Sequence, residues 1–262
     1  MEKNKRLDKN EARCYNGKKV FPAKGVKAVK RALVTGGSRG IGAATVRELA
    51  AKGWQVIINY CNSKEQAEAL AREMGGRAIC ADVSDEAQVK AMFAEAGEID
   101  ALVCCAGIAH FGLLSDMSAE QWRRIFAVNT DGVFYCCREA IPHMVREKRG
   151  SIVIVSSMWG QTGGSCEAAY SASKGAVIAL TKALAKELGP SNVRVNCIAP
   201  GVIDTDMNSH LSPEDKAALR DETPLGRIGL PEETAKAAAF LVSDEASFIT
   251  GQILGVNGGL VI

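Results

Sequence analysis

The sequence predicts an α/β fold, a doubly wound parallel sheet of seven strands with helices on both faces. Three observations carry that expectation. Short β-rich runs alternate with long amphipathic segments, a glycine-rich turn joins the first run to the first helical pattern, and 47% of the 262 residues are apolar, enough for one large core. Parallel α/β folds of about 250 residues are often undivided. Residues 31–262 are therefore expected to form a single domain, preceded by a basic arm over residues 1–30.

The first predicted strand is 32–35 (Ala-Leu-Val-Thr), followed by a helical pattern over 43–52. The later strands are 55–59, 77–80, 101–104, 151–155, 193–197 and 252–256, each rich in Val, Ile or Leu. Among the helices between them, Ser118-Ala-Glu-Gln121 is a capping box that opens one. Gly189-Pro190 stops the helix that carries Tyr170, near Leu188. Pro231-Glu-Glu233 starts another with acids at its positive dipole end.

Charge is unevenly placed. Residues 1–31 carry a net +8 and the remainder −6, which leaves +2 for the whole chain. So small a net charge gives no global pull toward nucleic acid, and the arm has neither aromatic interleaving nor an amphipathic period that would mark a nucleic-acid or membrane tether. A solvated, partly disordered arm is expected. No apolar run approaches the roughly 18 residues of a membrane span, and the start lacks the apolar stretch of a secretory signal, so a cytoplasmic protein without membrane partners is expected. The nine cysteines lack C-x-x-C spacing and the three histidines lack i, i+4 pairing, so free thiols and no metal centre are expected.

The glycine turn is Thr35-Gly36-Gly-Ser38-Arg39-Gly40-Ile41-Gly42, between the first strand and its helix. Gly36, Gly40 and Gly42 permit a tight turn, close approach of backbone to a pyrophosphate, and close packing of a helix whose amides meet the anion, as in a Rossmann-type dinucleotide site. No Lys-Ser/Thr pair follows the last glycine, which excludes a Walker-type phosphate loop. An NAD site places a carboxylate at the end of the second strand for the ribose 2′-hydroxyl. Here stand Asn59-Tyr-Cys-Asn62-Ser63, with no acid before Glu65 and with Arg39 as a nearby cation. NADP(H) is the expected cofactor.

Tyr170 and Lys174 stand at i and i+4, on one helix face, thirteen residues beyond Ser157. An ammonium beside a phenol favours phenolate and makes the phenol a usable proton donor and acceptor. Ser157 follows a buried run at the carboxyl edge of the sheet, where doubly wound folds bind ligands.

With these motifs in place, the chain from about residue 31 onward resembles the short-chain dehydrogenase/reductase family, and most closely its 3-oxoacyl-[acyl-carrier-protein] reductases. The turn at Thr35–Gly42 resembles the family's T-G-x-x-x-G-x-G, and Asp82-Val83 its adenine-contacting pair. Ala106-Gly107 resembles the end of its N-N-A-G turn, and Pro200-Gly201-Val202-Ile203-Asp-Thr205 its nicotinamide-flanking motif. Asn129, Ser157, Tyr170 and Lys174 match its catalytic tetrad, and the segment Thr250 to Gly259 its C-terminal strand. The resemblance implies hydride transfer between nicotinamide C4 and a carbonyl carbon. Tyr170 would protonate the oxygen, Ser157 polarise it, Lys174 lower the phenol pKa and hold the nicotinamide ribose, and Asn129 anchor a water that refills the proton.

Cys104-Cys105 depart from the family's two asparagines, and a rearranged local network or lower stability is expected there. The resemblance implies a 3-oxoacyl thioester substrate ahead of sugar, polyol or steroid-like ketones, with a non-catalytic dinucleotide sensor as the rival. For an acidic acyl carrier as partner, Arg146, Lys148 and Arg149 are the candidate basic patch at the mouth, whereas Ser191-Asn192 lacks a second cation. Met158-Trp159 and the segment 206–223 are expected to border the substrate. The apolar surplus Trp122, Ile125, Phe126, Val128, Val133, Phe134, Ile141, Met144 and Val145 points to a homo-oligomer, and the resemblance to a tetramer.

Overall fold

The computed structural model describes residues 13–15, 18–20, 29–209 and 211–262. The expected basic arm lies almost wholly outside the described residues. Within it are only a two-stranded hairpin, β1 (Arg13–Tyr15) and β2 (Lys18–Val20), and the junction at residues 29–30. At that junction the Lys30 ammonium bonds Asp244 at 2.8 Å.

The main sheet is built from β3 (Arg31–Thr35), β4 (Gln55–Tyr60), β5 (Arg77–Cys80), β6 (Ala101–Cys104), β7 (Gly150–Val155), β8 (Val193–Pro200) and β9 (Ile253–Val256). All its pairings are parallel, in the spatial order β5-β4-β3-β6-β7-β8-β9. The seven expected strands are all present. The five inner strands are buried nearly throughout because both faces are covered and alternate residues point to opposite sides, whereas the edge strands β5 and β9 stay largely exposed or half-buried. Leu33, Ile57, Leu102, Ile152 and Ile154 pack against α3 (Glu86–Ala96), α5 (Gly132–Glu147) and α7 (Ala168–Leu188). Their neighbours Val34, Val56, Ile58, Val103 and Val153 pack against α1 (Gly40–Ala51), α2 (Lys64–Met74) and α9 (Pro231–Val242). Truncating one of these fully buried side chains, such as Ile152→Ala, costs about 2–5 kcal/mol.

Local signals set the helix ends. Ser118 Oγ accepts from Gln121 N at 3.1 Å while Gln121 Oε1 accepts from Ser118 N at 2.8 Å, the capping box that opens α4 (Ala119–Phe126). Between α4 and α5 the helix widens into a π-turn over Ala127–Asp131, with Asn129 at its centre. Two shorter helices, α6 (Trp159–Thr162) and α8 (Pro213–Glu222), follow β7 and β8. The chain winds outward in one direction through β3, β4 and β5, then returns to β6 on the other side of β3. This switch point parts the loops at the carboxyl ends of the strands and leaves a cleft between them.

Candidate active site

The floor of the cleft is the turn from β3 into α1. Gly36 has φ +61°, and a Cβ there would lie 2.8 Å from Ala106 Cα; a Cβ on Gly42 would lie 2.1 Å from Gly36 O. Glycine is required at both, because the turn is pressed against β6 on one side and against itself on the other. Thr35 does not face the cleft. Its hydroxyl accepts from Cys105 N at 3.1 Å and Ala106 N at 3.2 Å, so it ties the end of β3 to the loop that follows β6. That bond supplies a strand tie where the Cys105 thiol makes none. Cys105 lines the cleft half-buried, and burial raises its thiol to about 11 although Lys174 opposes.

The cleft has a volume of about 750 Å³, within the range of small-molecule sites. Apart from Thr35, every residue expected to touch a dinucleotide lines it. Asn59 does so with its amide already engaged: Oδ1 accepts from Gly36 N at 3.3 Å and Nδ2 donates to Ala81 O at 3.0 Å. It shapes the turn and has little left to donate outward. Beyond it, Cys61, Asn62 and Ser63 form a rim without a carboxylate. Arg39 lies 3.8 Å from Asp206, a residue of the segment after β8. At the other wall Asp82 Oδ1 accepts from Ser84 N and Oγ, and Oδ2 accepts from Arg124 Nη2 at 3.0 Å. Burial pushes the Asp82 carboxyl up, but the bonds from Ser84 and Arg124 outweigh it and hold it below its ordinary range.

The reactive end lies where β7 meets α7. Ser157 follows β7, and its hydroxyl bonds the Tyr170 phenol and accepts from Trp159 N at 3.2 Å. Lys174, one turn beyond Tyr170 on α7, donates to Val155 O at 2.8 Å with its Nζ 5.7 Å from the Tyr170 ring centre. Burial pushes the phenol up to about 12, with Ser157 pulling it down; burial lowers the Lys174 ammonium, while Cys105, Cys197 and Cys104 favour its charge. Desolvation dominates at Tyr170, no lowering by Lys174 enters its balance, and the side chain is held as a phenol.

Asn129 does not line the cleft. Fully buried behind the wall, it donates to Ile108 O at 2.9 Å and to Ser173 Oγ at 3.0 Å and accepts from Ile108 N at 2.9 Å. It thus clips the loop after β6 to α7 beneath Tyr170 and Lys174.

The basic patch expected at the mouth is elsewhere. Arg146, Lys148 and Arg149 precede Gly150, so they stand at the amino edge of β7, opposite the edge that carries Ser157. Arg146 is paired with Glu98 and Arg149 with Asp100 at 3.1 Å. Met158 and Trp159 do border the cleft, as do Asp206, Met207 and Asn208 at the start of the 206–223 segment. Sequence reasoning missed Arg124, Tyr60, His110, Phe111 and Glu167 in the lining. Tyr60 sits beside Asn59, His110 and Phe111 lie just beyond Gly107, and Glu167 stands three residues before Tyr170, whereas Arg124 arrives on α4, away from every motif.

Comparison with known proteins agrees with this geometry. Residues 36–261 match the family described as Enoyl-(Acyl carrier protein) reductase. The chain is 43% identical to an uncharacterized oxidoreductase, YmfI, of Bacillus subtilis, over 88% of this chain and 98% of the relative. It is also 43% identical to the 3-oxoacyl-[acyl-carrier-protein] reductase FabG of Staphylococcus aureus, over 90% and 99%. Among crystal structures, the 3-oxoacyl-[acyl-carrier protein] reductase of Brucella melitensis superposes with a TM-score of 0.84 at 39% identity, covering 89% of this chain and 91% of that one. A gluconate 5-dehydrogenase of Burkholderia cenocepacia, solved with NADP and tartrate, gives 0.84 at 36% identity, covering 88% and 94%. By fold, cleft and sequence alike, this chain belongs to the short-chain dehydrogenase/reductase family of oxidoreductases.

Proposed function

We propose that the protein reduces a ketone to a secondary alcohol with NADPH, and that the ketone is a 3-oxoacyl thioester. The observation that carries the reaction type is the cluster of Ser157, Tyr170 and Lys174 in the cleft that also holds the glycine turn. The crowding at Gly36 and Gly42 supports a close approach of backbone to a pyrophosphate. The dinucleotide, when bound, supplies the hydride. The chain's own residues do the rest: Ser157 orients the carbonyl oxygen, Tyr170 hands it the phenolic proton, and Lys174 steadies the phenolate left behind. Asn129 fixes the loop and helix that carry these groups.

The lack of a carboxylate among Cys61, Asn62 and Ser63 supports NADPH over NADH, and Arg39 supplies a cation for the 2′-phosphate. Likeness to FabG supports the thioester. A second reading, a small polar ketone of the sugar or polyol kind, is favoured by Glu167 and His110 in the lining and by the basic patch lying at the far edge. The deciding experiment is NADPH consumption with a short 3-oxoacyl thioester beside a panel of neutral, acidic and amino ketones. Turnover of the thioester well above the panel is expected; a polar ketone turned over faster would establish the second reading, and no turnover of any ketone would leave a non-catalytic dinucleotide sensor. A homotetramer is the proposed assembly.

A further inference from the structure

We infer that Arg124 holds the adenine ring of the dinucleotide, by stacking the flat face of its guanidinium on the purine. Arg124 lies outside the glycine turn and the catalytic cluster, on α4, which comes from the far side of β6 in sequence. Yet its side chain crosses to the cleft wall, where Nη1 donates to Ser84 Oγ at 2.6 Å and Nη2 to Asp82 Oδ2 at 3.0 Å. These bonds fix the plane of the guanidinium against the loop after β5. The side chain is nevertheless 51% exposed, so a built, immobilised face is left open at the cleft.

Charge decides what that face suits. Asp82 pairs the Arg124 guanidinium at 3.0 Å, which makes it a poor cation for a phosphate, whereas Arg39 meets Asp206 only at 3.8 Å and keeps its side chain 66% exposed. A paired guanidinium keeps its delocalised plane, and such planes stack on aromatic rings. Asp82 and Val83, beside it, form the wall where the adenine is expected, and Val128, one helical turn beyond Arg124, adds an apolar surface to the same wall. Arg124 is thereby a specificity-determining residue for the purine, distinct from the contacts that tell NADP from NAD. This inference rests on the dinucleotide assignment made above.

Calorimetric titration of the full-length protein with 5′-AMP, 2′,5′-ADP and nicotinamide mononucleotide tests it. Arg124→Gln and Arg124→Lys are both expected to weaken 5′-AMP and 2′,5′-ADP by the same factor, about 3- to 10-fold, and to leave the mononucleotide unchanged. Lysine keeps the charge and loses the plane, so it should not rescue. Loss confined to 2′,5′-ADP would make Arg124 a phosphate contact and overturn the inference. So would rescue by lysine, an equal loss for the mononucleotide, or no loss at all. If the unaltered protein binds none of the three, the dinucleotide assignment itself fails.

Discussion

Lys174 Nζ reaches from α7 to the last carbonyl of β7, Val155 O, at 2.8 Å. The bond places a buried ammonium between the strand that ends at Ser157 and the helix that carries Tyr170. Around it stand the thiols of Cys104, Cys105 and Cys197 rather than any carboxylate. A buried cation so sparsely paired is costly to keep, and its cost is offset only where its charge is used. With Tyr170 raised by burial, the proposed reaction uses that charge in the instant after proton transfer, when a phenolate needs a nearby positive charge.

Tyr170→Phe is therefore expected to lower kcat by about 100- to 10,000-fold, the usual worth of a placed acid, with dinucleotide affinity almost unchanged. Lys174→Met should lower kcat similarly and weaken the dinucleotide as well. Steady-state kinetics with fluorescence titration of NADPH checks both. Retained turnover in the Tyr170 variant would remove the phenol from the mechanism.

The link between Asn129 and Ser173 yields a stability prediction. Ser173 Oγ accepts from Asn129 Nδ2 and donates to Tyr170 O at 2.7 Å, with no solvent access. Ser173→Ala leaves a buried amide hydrogen unpaired, at a cost of about 1–3 kcal/mol. Urea unfolding should show the lower midpoint with unchanged slope, and kcat should fall together with it. A variant as stable as the native protein would show that water takes over the bond.

Much of this site was legible from sequence because its parts are local. The turn at Thr35–Gly42 and the pair Tyr170–Lys174 are each contained in one element boundary or one helix face, so spacing alone locates them. The inner strands were legible because burial on both faces makes them largely apolar. Strand β8 nevertheless runs to Pro200, beyond the expected end at Cys197, because Ala199-Pro200 lacks β-branched residues while pairing with β9 sustains it. Arg124 was invisible because its partner Asp82 lies 42 residues away. The resemblance to acyl-carrier-protein reductases, joined to their charge, puts Arg146, Lys148 and Arg149 at the mouth. Their position before β7, rather than after it, puts them at the opposite edge. The apolar surplus on α4 and α5 was overcounted: Ile125, Val128, Val133 and Met144 are buried within the chain, and only Trp122 and Phe134 of that set stand out as exposed.

Cofactor choice is testable at Arg39. NADPH is expected to exceed NADH in kcat/KM, and Arg39→Ala to narrow the gap by acting on NADPH alone. Asp206, 3.8 Å from Arg39, competes for the same guanidinium. Asp206→Asn should accordingly widen the gap, by no more than about 5-fold, since exposed pairs contribute about 1 kcal/mol or less. Measured kcat/KM for both dinucleotides decides it; a native preference for NADH would make Cys61 to Ser63 a poor guide to the 2′-phosphate.

The bidentate pair of Arg227 and Glu233, at 2.6 and 2.8 Å, caps α9 together with Leu230 N. Bonds from Arg227 hold the Glu233 carboxyl at about 2, below its ordinary 4.5. A carboxyl depressed by folding stabilises the protein above its unfolded pKa and loses that contribution as pH falls through the folded one. Because the pair is exposed, its worth at neutral pH is about 1 kcal/mol. The stability gap between native protein and Arg227→Ala should be constant from pH 7 to about 5 and shrink below 4.5. Denaturant titrations at several pH values check this, and a gap that widens on acidification would assign Glu233 another partner.

Assembly rests on what α4 and α5 leave uncovered. Trp122 stacks on Phe126 with ring centres 4.8 Å apart, and Arg138 lies over Phe134 at 5.1 Å. Trp122 and Phe134 remain 38% and 46% exposed. Aromatic rings held in place by neighbours, yet open to water, favour association because little side-chain freedom remains to be lost on contact. Leu254, on the edge strand β9 at the far side of the sheet from β5, is a further exposed apolar side chain, as are Phe248 and Ile262. Two separate self-associating faces generate a tetramer of paired dimers, whereas one generates only a dimer. Light scattering at micromolar concentration should give four times the chain mass of 27.8 kDa. Phe134→Glu should reduce it to half or less. A native mass equal to one chain would mean that both faces stay in water, and would overturn the assembly.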